Sequence, residues 1–410
     1  MEEIIMKVIY NKTITDVPHI KATGLHIGLR KNEKKDLCII YSEKKSVAAA
    51  VFTKNKVKAA PLLVNMNHIN SNNTQAIVIN SGYANACTGA SGVEDAYEMG
   101  RVTANCLGLS PEEVLIASTG RIGIPLPMDK IIPGIKAGCT KLSYDGGKEA
   151  EEAIMTTDTF TKSIFVELEI DGELICIGGI AKGSGMVHPD MGTILSFIAT
   201  NVNISKLMLT KALKESVVDS YNMISVDGDT STNDMAVVLS NCTAGNKVID
   251  EKNDEYFKFK EAFDFVNKEL SKMIAKDGEG ATKLIEINLN NARTMEDARI
   301  CAKSVISSSL VKSAFFGSDA NWGRIMCSLG YSGAEFDPQN VDITFKNNIN
   351  TIKIVEKGSG TIFNKELVEK ILKEDYINII IDLNDGIYNS IAWGCDLTYD
   401  YVKINGYYRA

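Results

Sequence analysis

The sequence predicts an α/β protein in which several sheets pack in layers. Three observations predict it. Short apolar runs of strand length alternate with longer stretches of helical periodicity throughout the chain. The strand-like runs outnumber the helices needed to join them in parallel, which favours layered sheets over one doubly wound sheet. The chain has 410 residues, 45% of them hydrophobic and 23% charged, an ordinary globular composition with enough apolar material for a large core. At about 150 residues per domain this length suggests two or three domains.

In chain order, Ser46–Thr53 (SVAAAVFT), Gln75–Asn80 (QAIVIN) and Val114–Ser118 (VLIAS) read as buried strands. Ile164–Ile170 alternates apolar and charged residues, Asp171-Gly172 is a strong type I′ turn signal, and Glu173–Ile180 completes a hairpin. Leu209, Leu213 and Val217 recur at i+4 and mark a helix. A longer helix carries Phe259, Phe263, Val266, Leu270 and Ile274 on one face and stops near Gly278. Thr294–Asp297 has the form of a capping box opening a helix that runs to about Ser308. Tyr376–Leu383 reads as a strand, with an Asn-Asp-Gly turn at 384–386. A polar, Asn-rich stretch at 286–291 suggests a boundary between a main α/β domain, 1–288, and a smaller C-terminal α/β domain, 289–410.

Acidic residues outnumber basic ones, 52 to 44, for a net charge of −8. That balance argues against nucleic acid or an anionic membrane as the main partner, since both demand concentrated Lys and Arg. The nine cysteines show no CxxC spacing and sit mostly in apolar runs, so they read as reduced, buried thiols. The four histidines are scattered, so no metal site is expected. The N-terminus lacks the features of a signal or transit peptide and no apolar run is long enough to span a bilayer, which predicts a cytoplasmic protein.

Several suggestive loops fail on inspection. Lys182–His188 lacks the third glycine of a dinucleotide loop. Asp227–Asp234 resembles a calcium loop but has Thr232 at the sixth position and Val238 at the twelfth. GxSxG is absent.

The informative stretch is 182–197, KGSGMVHPDMGTILSF. Its glycines permit close backbone approach, and Thr193 stands at the doorway of an apolar run. A Thr preceded by Gly192 is the layout of a nucleophile freed by chain cleavage: its hydroxyl attacks the Gly192 carbonyl, and an N-to-O acyl shift followed by hydrolysis releases its amine. On the residues alone, a Thr in this place is also an ordinary strand residue.

This stretch resembles the signature of the ornithine acetyltransferase family, the glutamate N-acetyltransferases of arginine biosynthesis, whose pattern is KGxGMxxPxMAT. Asn80–Gly89 (NSGYANACTG), Ala117–Gly123 (ASTGRIG), Met155–Thr159 (MTTDT), Ser225–Asp234 (SVDGDTSTND), Asp277–Gly280 (DGEG) and Gly317–Gly323 (GSDANWG) also match, in the family's order. The closing Ile404-Asn405…Tyr408-Arg409 resembles its INxxYR. Gly192 stands where the family usually has Ala, Ile194 where it has Met, and Ala410 where a hydroxyl residue is common.

The resemblance implies an α-β-β-α sandwich of the self-cleaving, N-terminal-nucleophile type with a smaller C-terminal α/β domain. It implies cleavage at Gly192–Thr193 into chains 1–192 and 193–410, assembled as an α2β2 heterotetramer. It implies Thr193 as nucleophile, Thr119 and Gly120 as the oxyanion hole, and Thr156, Lys182, Thr193, Glu279, Asn405 and Ala410 as substrate contacts. The implied reaction is ping-pong acetyl transfer from N-acetylornithine to glutamate without a cofactor, with acetyl-coenzyme A as a further donor in some members. An N-terminal-nucleophile aminopeptidase or amidase, releasing the acyl group to water, is the alternative.

Overall fold

The computed structural model describes residues 6–30, 33–188 and 194–407. Two sheets stack face to face at its centre. The first has six strands in the order Lys7–Val8, Lys162–Ile170, Glu173–Lys182, Leu195–Thr200, Met235–Ser240 and Val47–Phe52. The second has four, in the order Ile20–Leu25, Leu37–Ser42, Ala76–Asn80 and Val114–Ser118. Side chains alternate across each strand, so each sheet presents two apolar faces. Phe165, Ile180, Leu195, Phe197 and Val237 meet Ile40, Ile77, Ile79 and Leu115 between the sheets.

The outer faces take helices. Ile39, Val78 and Ile116 pack against the helices Ala60–His68, Gly89–Leu107 and Met128–Cys139. Val166, Ile177, Ile198 and Val238 pack against Lys206–Val218 and Asp254–Lys276. The result is the expected α-β-β-α sandwich. Burial on both faces explains why Val114–Ser118 and Leu195–Thr200 lack the strict apolar–polar alternation of a half-exposed strand: every residue of each is buried.

The hairpin forms as the sequence predicts. Lys162–Ile170 and Glu173–Lys182 pair antiparallel, with Asp171 and Gly172 at φ of 55° and 78°, the two positive values a type I′ turn requires. The helix Asp254–Lys276 carries Phe259, Phe263, Val266, Leu270 and Ile274 buried on one face. Thr294 caps Met295–Ser307 by accepting from the Asp297 N–H.

A third, seven-stranded sheet lies beyond the second helical layer. Its order is Ile224–Ser225, Tyr388–Cys395, Leu284–Ala292, Tyr376–Asp382, Asp342–Lys346, Thr351–Glu356 and Ser359–Gly360. One continuous core runs from the six-stranded sheet through Asp254–Lys276 to this sheet. Position 288 falls within the strand Leu284–Ala292, and Ile224–Ser225 joins the same sheet from earlier in the chain.

The cysteines divide. Cys38, Cys176, Cys301 and Cys395 are buried as expected, whereas Cys87, Cys106 and Cys327 are exposed on loops and helix surfaces that the apolar-run reading overlooked; all nine are free. No helix among the described residues is long and apolar enough to cross a membrane.

Candidate active site

The central sheets bring several chain segments to one rim. Glu173–Lys182 ends there with Lys182, which is opposite Leu195 in the antiparallel register. Leu195–Thr200 and Met235–Ser240 both begin there and run parallel, with the Met235 N–H donating to the Ile194 carbonyl at 2.8 Å. In the facing sheet, Val114–Ser118 ends at the same rim and hands over to Thr119 and Gly120. A cavity of about 250 Å³ opens between these ends. It is lined by Thr119, Gly120, Thr156, Lys182, Glu279 and Asn405, six of the residues singled out from sequence, together with Arg121, Gly185, Ile194, Ser231, Asn233 and Asp234. Gly192, Thr193 and Ala410 lie outside the described residues; Ile194, the residue after Thr193, is on the cavity wall.

Thr119 and Gly120 are held by the loop that follows Ala76–Asn80. The Thr119 N–H donates to the Asn80 carbonyl at 2.9 Å, and the Asn80 side-chain oxygen accepts from the Tyr83 N–H at 3.0 Å. Gly120 has φ of 125°, and a Cβ there would lie 2.5 Å from the Gly82 carbonyl carbon and oxygen. Only glycine fits this contact. Among the described residues the Thr119 hydroxyl and the Gly120 N–H make no hydrogen bond, and both residues line the cavity.

Lys182 is 8% exposed. Burial pushes its ammonium below the usual lysine range, while the Asp158 carboxylate acts in the opposite sense. Glu279 is across the cavity. Its Oε2 accepts from Asn405 Nδ2 at 2.8 Å, and its N–H donates to the Ser184 carbonyl at 2.9 Å. Gly185 makes this placement possible, because a Cβ at 185 would lie 2.4 Å from the Glu279 carboxyl carbon. The cavity is thus lined by a buried cation, a carboxylate, and the residues Thr119 and Gly120, whose hydroxyl and N–H are donors without a partner among the described residues. That set suits a small zwitterion bearing an acyl group. Among the described residues there is no cluster of His, Cys, Asp and Glu able to hold a metal ion.

Asp158 ties the site together from beneath. Its Oδ2 accepts from the Thr156 N–H at 2.9 Å and its Oδ1 from the Gly183 N–H at 2.8 Å. Arg30 supports the same segment, donating to the Met155 and Thr156 carbonyls at 2.7 Å each. Burial would raise the Asp158 carboxyl, but the Lys182 and Lys162 cations prevail and hold it well below the usual carboxylate range.

Sequence reasoning missed Asn233 and Asp234. Asn233 Nδ2 donates to the Ala84 and Ser118 carbonyls at 2.5 and 2.7 Å, clamping the segment before Thr119 and Gly120 to the start of Met235–Ser240. Asp234 is 3% exposed, and its Oδ2 has no hydrogen-bond partner. Burial pushes its carboxyl well above the ordinary value, against the opposing pull of Ser231 and Lys182. Both residues belong to the SVDGDTSTND block, whose spacing suggests no chemistry beyond a failed calcium loop. The burial of Asp234 and its nearness to Lys182, 52 positions earlier in the chain, arise only in the fold.

Residues 21–410 match the ArgJ family. An arginine biosynthesis bifunctional protein ArgJ from Clostridium acetobutylicum is 58% identical over 99% of both chains. Its counterpart from Caldanaerobacter subterraneus subsp. tengcongensis is 52% identical over 95% of this chain and 96% of its own. The chain belongs to the ArgJ family. Among solved structures, an arginine biosynthesis bifunctional protein ArgJ from Bacillus halodurans is 41% identical, with a TM-score of 0.49 over 51% of this chain and 96% of that one. An ornithine acetyltransferase from Mycobacterium tuberculosis, complexed with ornithine, is 33% identical, with a TM-score of 0.43 over 45% of this chain and 99% of that one. For an ArgJ family member the conjunction of Thr119, Gly120, Thr156, Lys182, Glu279 and Asn405 around one cavity is the central feature of the molecule.

Proposed function

We propose that this ArgJ family protein transfers the acetyl group of N-acetylornithine to glutamate, yielding ornithine and N-acetylglutamate. The observation that carries the reading is the cavity itself. Thr119, Gly120, Lys182 and Glu279 line it together with Ile194, the neighbour of Thr193 in the sequence.

The chain first cuts itself at Gly192–Thr193. This frees the α-amine of Thr193, and a terminal α-amine ordinarily titrates at about 7.7–8.0, suited to act as base near neutral pH. It takes the proton of its own hydroxyl as Oγ attacks the acetyl carbonyl. The Thr119 hydroxyl and the Gly120 N–H stabilise the resulting oxyanion, each such donor being worth about 2.7–4 kcal/mol. The C–N bond breaks, the leaving amine takes up the proton, and ornithine departs. Glutamate then attacks acetyl-Thr193 through its α-amine and leaves as N-acetylglutamate. Lys182 receives the substrate α-carboxylate, Glu279 the ornithine side-chain ammonium, and Thr156, Asn405 and the C-terminal Ala410 complete the contacts. Acetyl-coenzyme A serves as an alternative donor in the bifunctional reading. Chains 1–192 and 193–410 remain packed together and assemble as α2β2.

The test supplies N-acetylornithine labelled in its acetyl group together with glutamate, with Thr193→Ala as control. Label passes to glutamate in the wild type and not in the variant. Label released as acetate at the same rate with and without glutamate would overturn transfer in favour of an amidase.

A further inference from the structure

Beneath the cavity is a buried ion triad that no step of the proposed reaction uses. Lys162 has a fully buried side chain, and its Nζ donates to Asp158 Oδ1 at 2.7 Å and to Asp277 Oδ2 at 2.5 Å. The side chains of Asp158 and Asp277 are 0% and 2% exposed. Burying three charges costs several kcal/mol per ion unless each is paired and its remaining sites are satisfied. Here they are satisfied, and by the backbone of the site. Asp158 takes the Thr156 and Gly183 N–H groups. Asp277 takes the Thr159 N–H at 3.0 Å and the Thr159 hydroxyl. Ser184 Oγ donates to the Asp277 carbonyl at 2.7 Å, and the Ser184 carbonyl receives the Glu279 N–H.

We propose that Asp158, Lys162 and Asp277 are positioning residues that set the relative placement of the three substrate-contacting segments, 156–159, 182–184 and 277–279. Resting on the reading above, this assigns a role to residues that touch no substrate. The arrangement has two consequences. The triad spans the proposed cut, with Asp158 and Lys162 before residue 192 and Asp277 after it, so it registers the Lys182 side of the pocket against the Glu279 side once the chain is in two pieces. Asp158 also sets a negative charge beside Lys182 and so favours the ammonium that receives a carboxylate. A plain hydrophobic contact could join the segments, but it would fix neither the N–H directions nor that charge.

The test uses the self-cleaved protein carrying Asp158→Asn or Asp277→Asn. Both variants are isosteric and keep an oxygen to accept from Lys162. Asp277→Asn carries the test if Asp158→Asn does not accumulate. N-acetylornithine binding is read by calorimetry, kcat and KM by acetyl transfer, and folding by thermal melting. The dissociation constant and KM rise roughly ten- to hundredfold, the scale of one displaced charge-assisted hydrogen bond, while kcat stays within about threefold. A lowered melting temperature with unchanged affinity in the folded protein assigns the triad to stability alone and overturns the proposal. Wild-type protein that binds N-acetylornithine yet transfers no acetyl group would overturn the reaction proposed above and leave this binding comparison intact.

Discussion

Replacing Gly120 by Ala puts a methyl group where the fold has no room. The added Cβ would lie 2.5 Å from the Gly82 carbonyl, against the 3.4 Å at which ordinary contact begins. The obstacle is backbone, so one of the two loops must retreat by roughly 1 Å, a displacement able to cost about 10²-fold in rate when it misaligns a catalytic group. At φ of 125° an Ala is also strained, by about 1–3 kcal/mol. The Gly120 N–H is one of two donors assigned to the oxyanion, and losing one such donor typically costs about 10²–10³ in kcat. The two routes to loss overlap and do not multiply, so the expected kcat is about 10²–10³-fold below wild type. KM should change little, because neither Lys182 nor Glu279 moves. Single-turnover acetylation by N-acetylornithine, followed by mass spectrometry of the chain beginning at Thr193, isolates the step, and near-ultraviolet circular dichroism confirms folding. A folded Gly120→Ala protein with kcat within threefold of wild type would refute the oxyanion assignment.

Three further outcomes are expected. Thr193→Ala should accumulate as the intact 44.7 kDa chain where wild type gives two fragments, and a mass spectrum showing fragments in the variant would remove Thr193 from the cleavage step. Lys182 is pushed below the usual lysine range, and carboxylate binding needs its protonated form, so affinity is complete at low pH and lost as pH rises through that lowered value. KM for N-acetylornithine should therefore climb at a pH below the ordinary lysine value of about 10.4, and a KM that stays flat up to that pH would contradict the assignment. Lys162→Met leaves Asp158 and Asp277 buried without their shared cation and should cost about 3–5 kcal/mol in urea unfolding near neutral pH. Because Asp158 is held below the usual carboxylate range, its favourable contribution is present above the ordinary Asp value and lost only in strong acid. In Lys162→Met the two buried carboxylates lack their cation and take up a proton more readily, so the wild-type-to-variant difference should narrow as pH falls from 8 to 5, and a difference that does not vary with pH would speak against the triad's charges.

The legible parts of the fold were those with strong local signals. The Asp171-Gly172 turn and the Phe259–Ile274 stripe are written in contiguous residues and formed where expected. The helix Gly89–Leu107 is faint in the sequence, because Gly92, Ala96, Gly100, Thr103 and Ala104 make up most of its buried face and leave Met99 and Val102 as its large apolar positions, a weak periodic signal. The stacking of the two central sheets was not legible from periodicity either, since a strand buried on both faces looks the same whatever covers it. At the site, Lys182, Glu279 and Asn405 come from separate blocks that only the family resemblance grouped, since no spacing or periodicity links them, and the fold joins them at one cavity. The roles of Asp158 and Lys162 were hidden because the partner that explains them, Asp277, is 115 positions beyond Lys162.

The strand order of the six-stranded sheet has a consequence for how a cut protein can exist. Leu195–Thr200 and Met235–Ser240 are flanked on one side by Glu173–Lys182 and on the other by Val47–Phe52. Every neighbour of this pair therefore lies on the other side of the proposed cut, before residue 192. Made alone, a piece beginning at residue 193 would expose two raw, largely apolar sheet edges, the kind that recruit other chains into aggregates. If the chain cuts at Gly192–Thr193 as proposed, scission comes after the sheet has zipped, and the two products stay lodged in one another like the teeth of a closed fastener. A bicistronic gene for the halves should yield protein only when both are translated together.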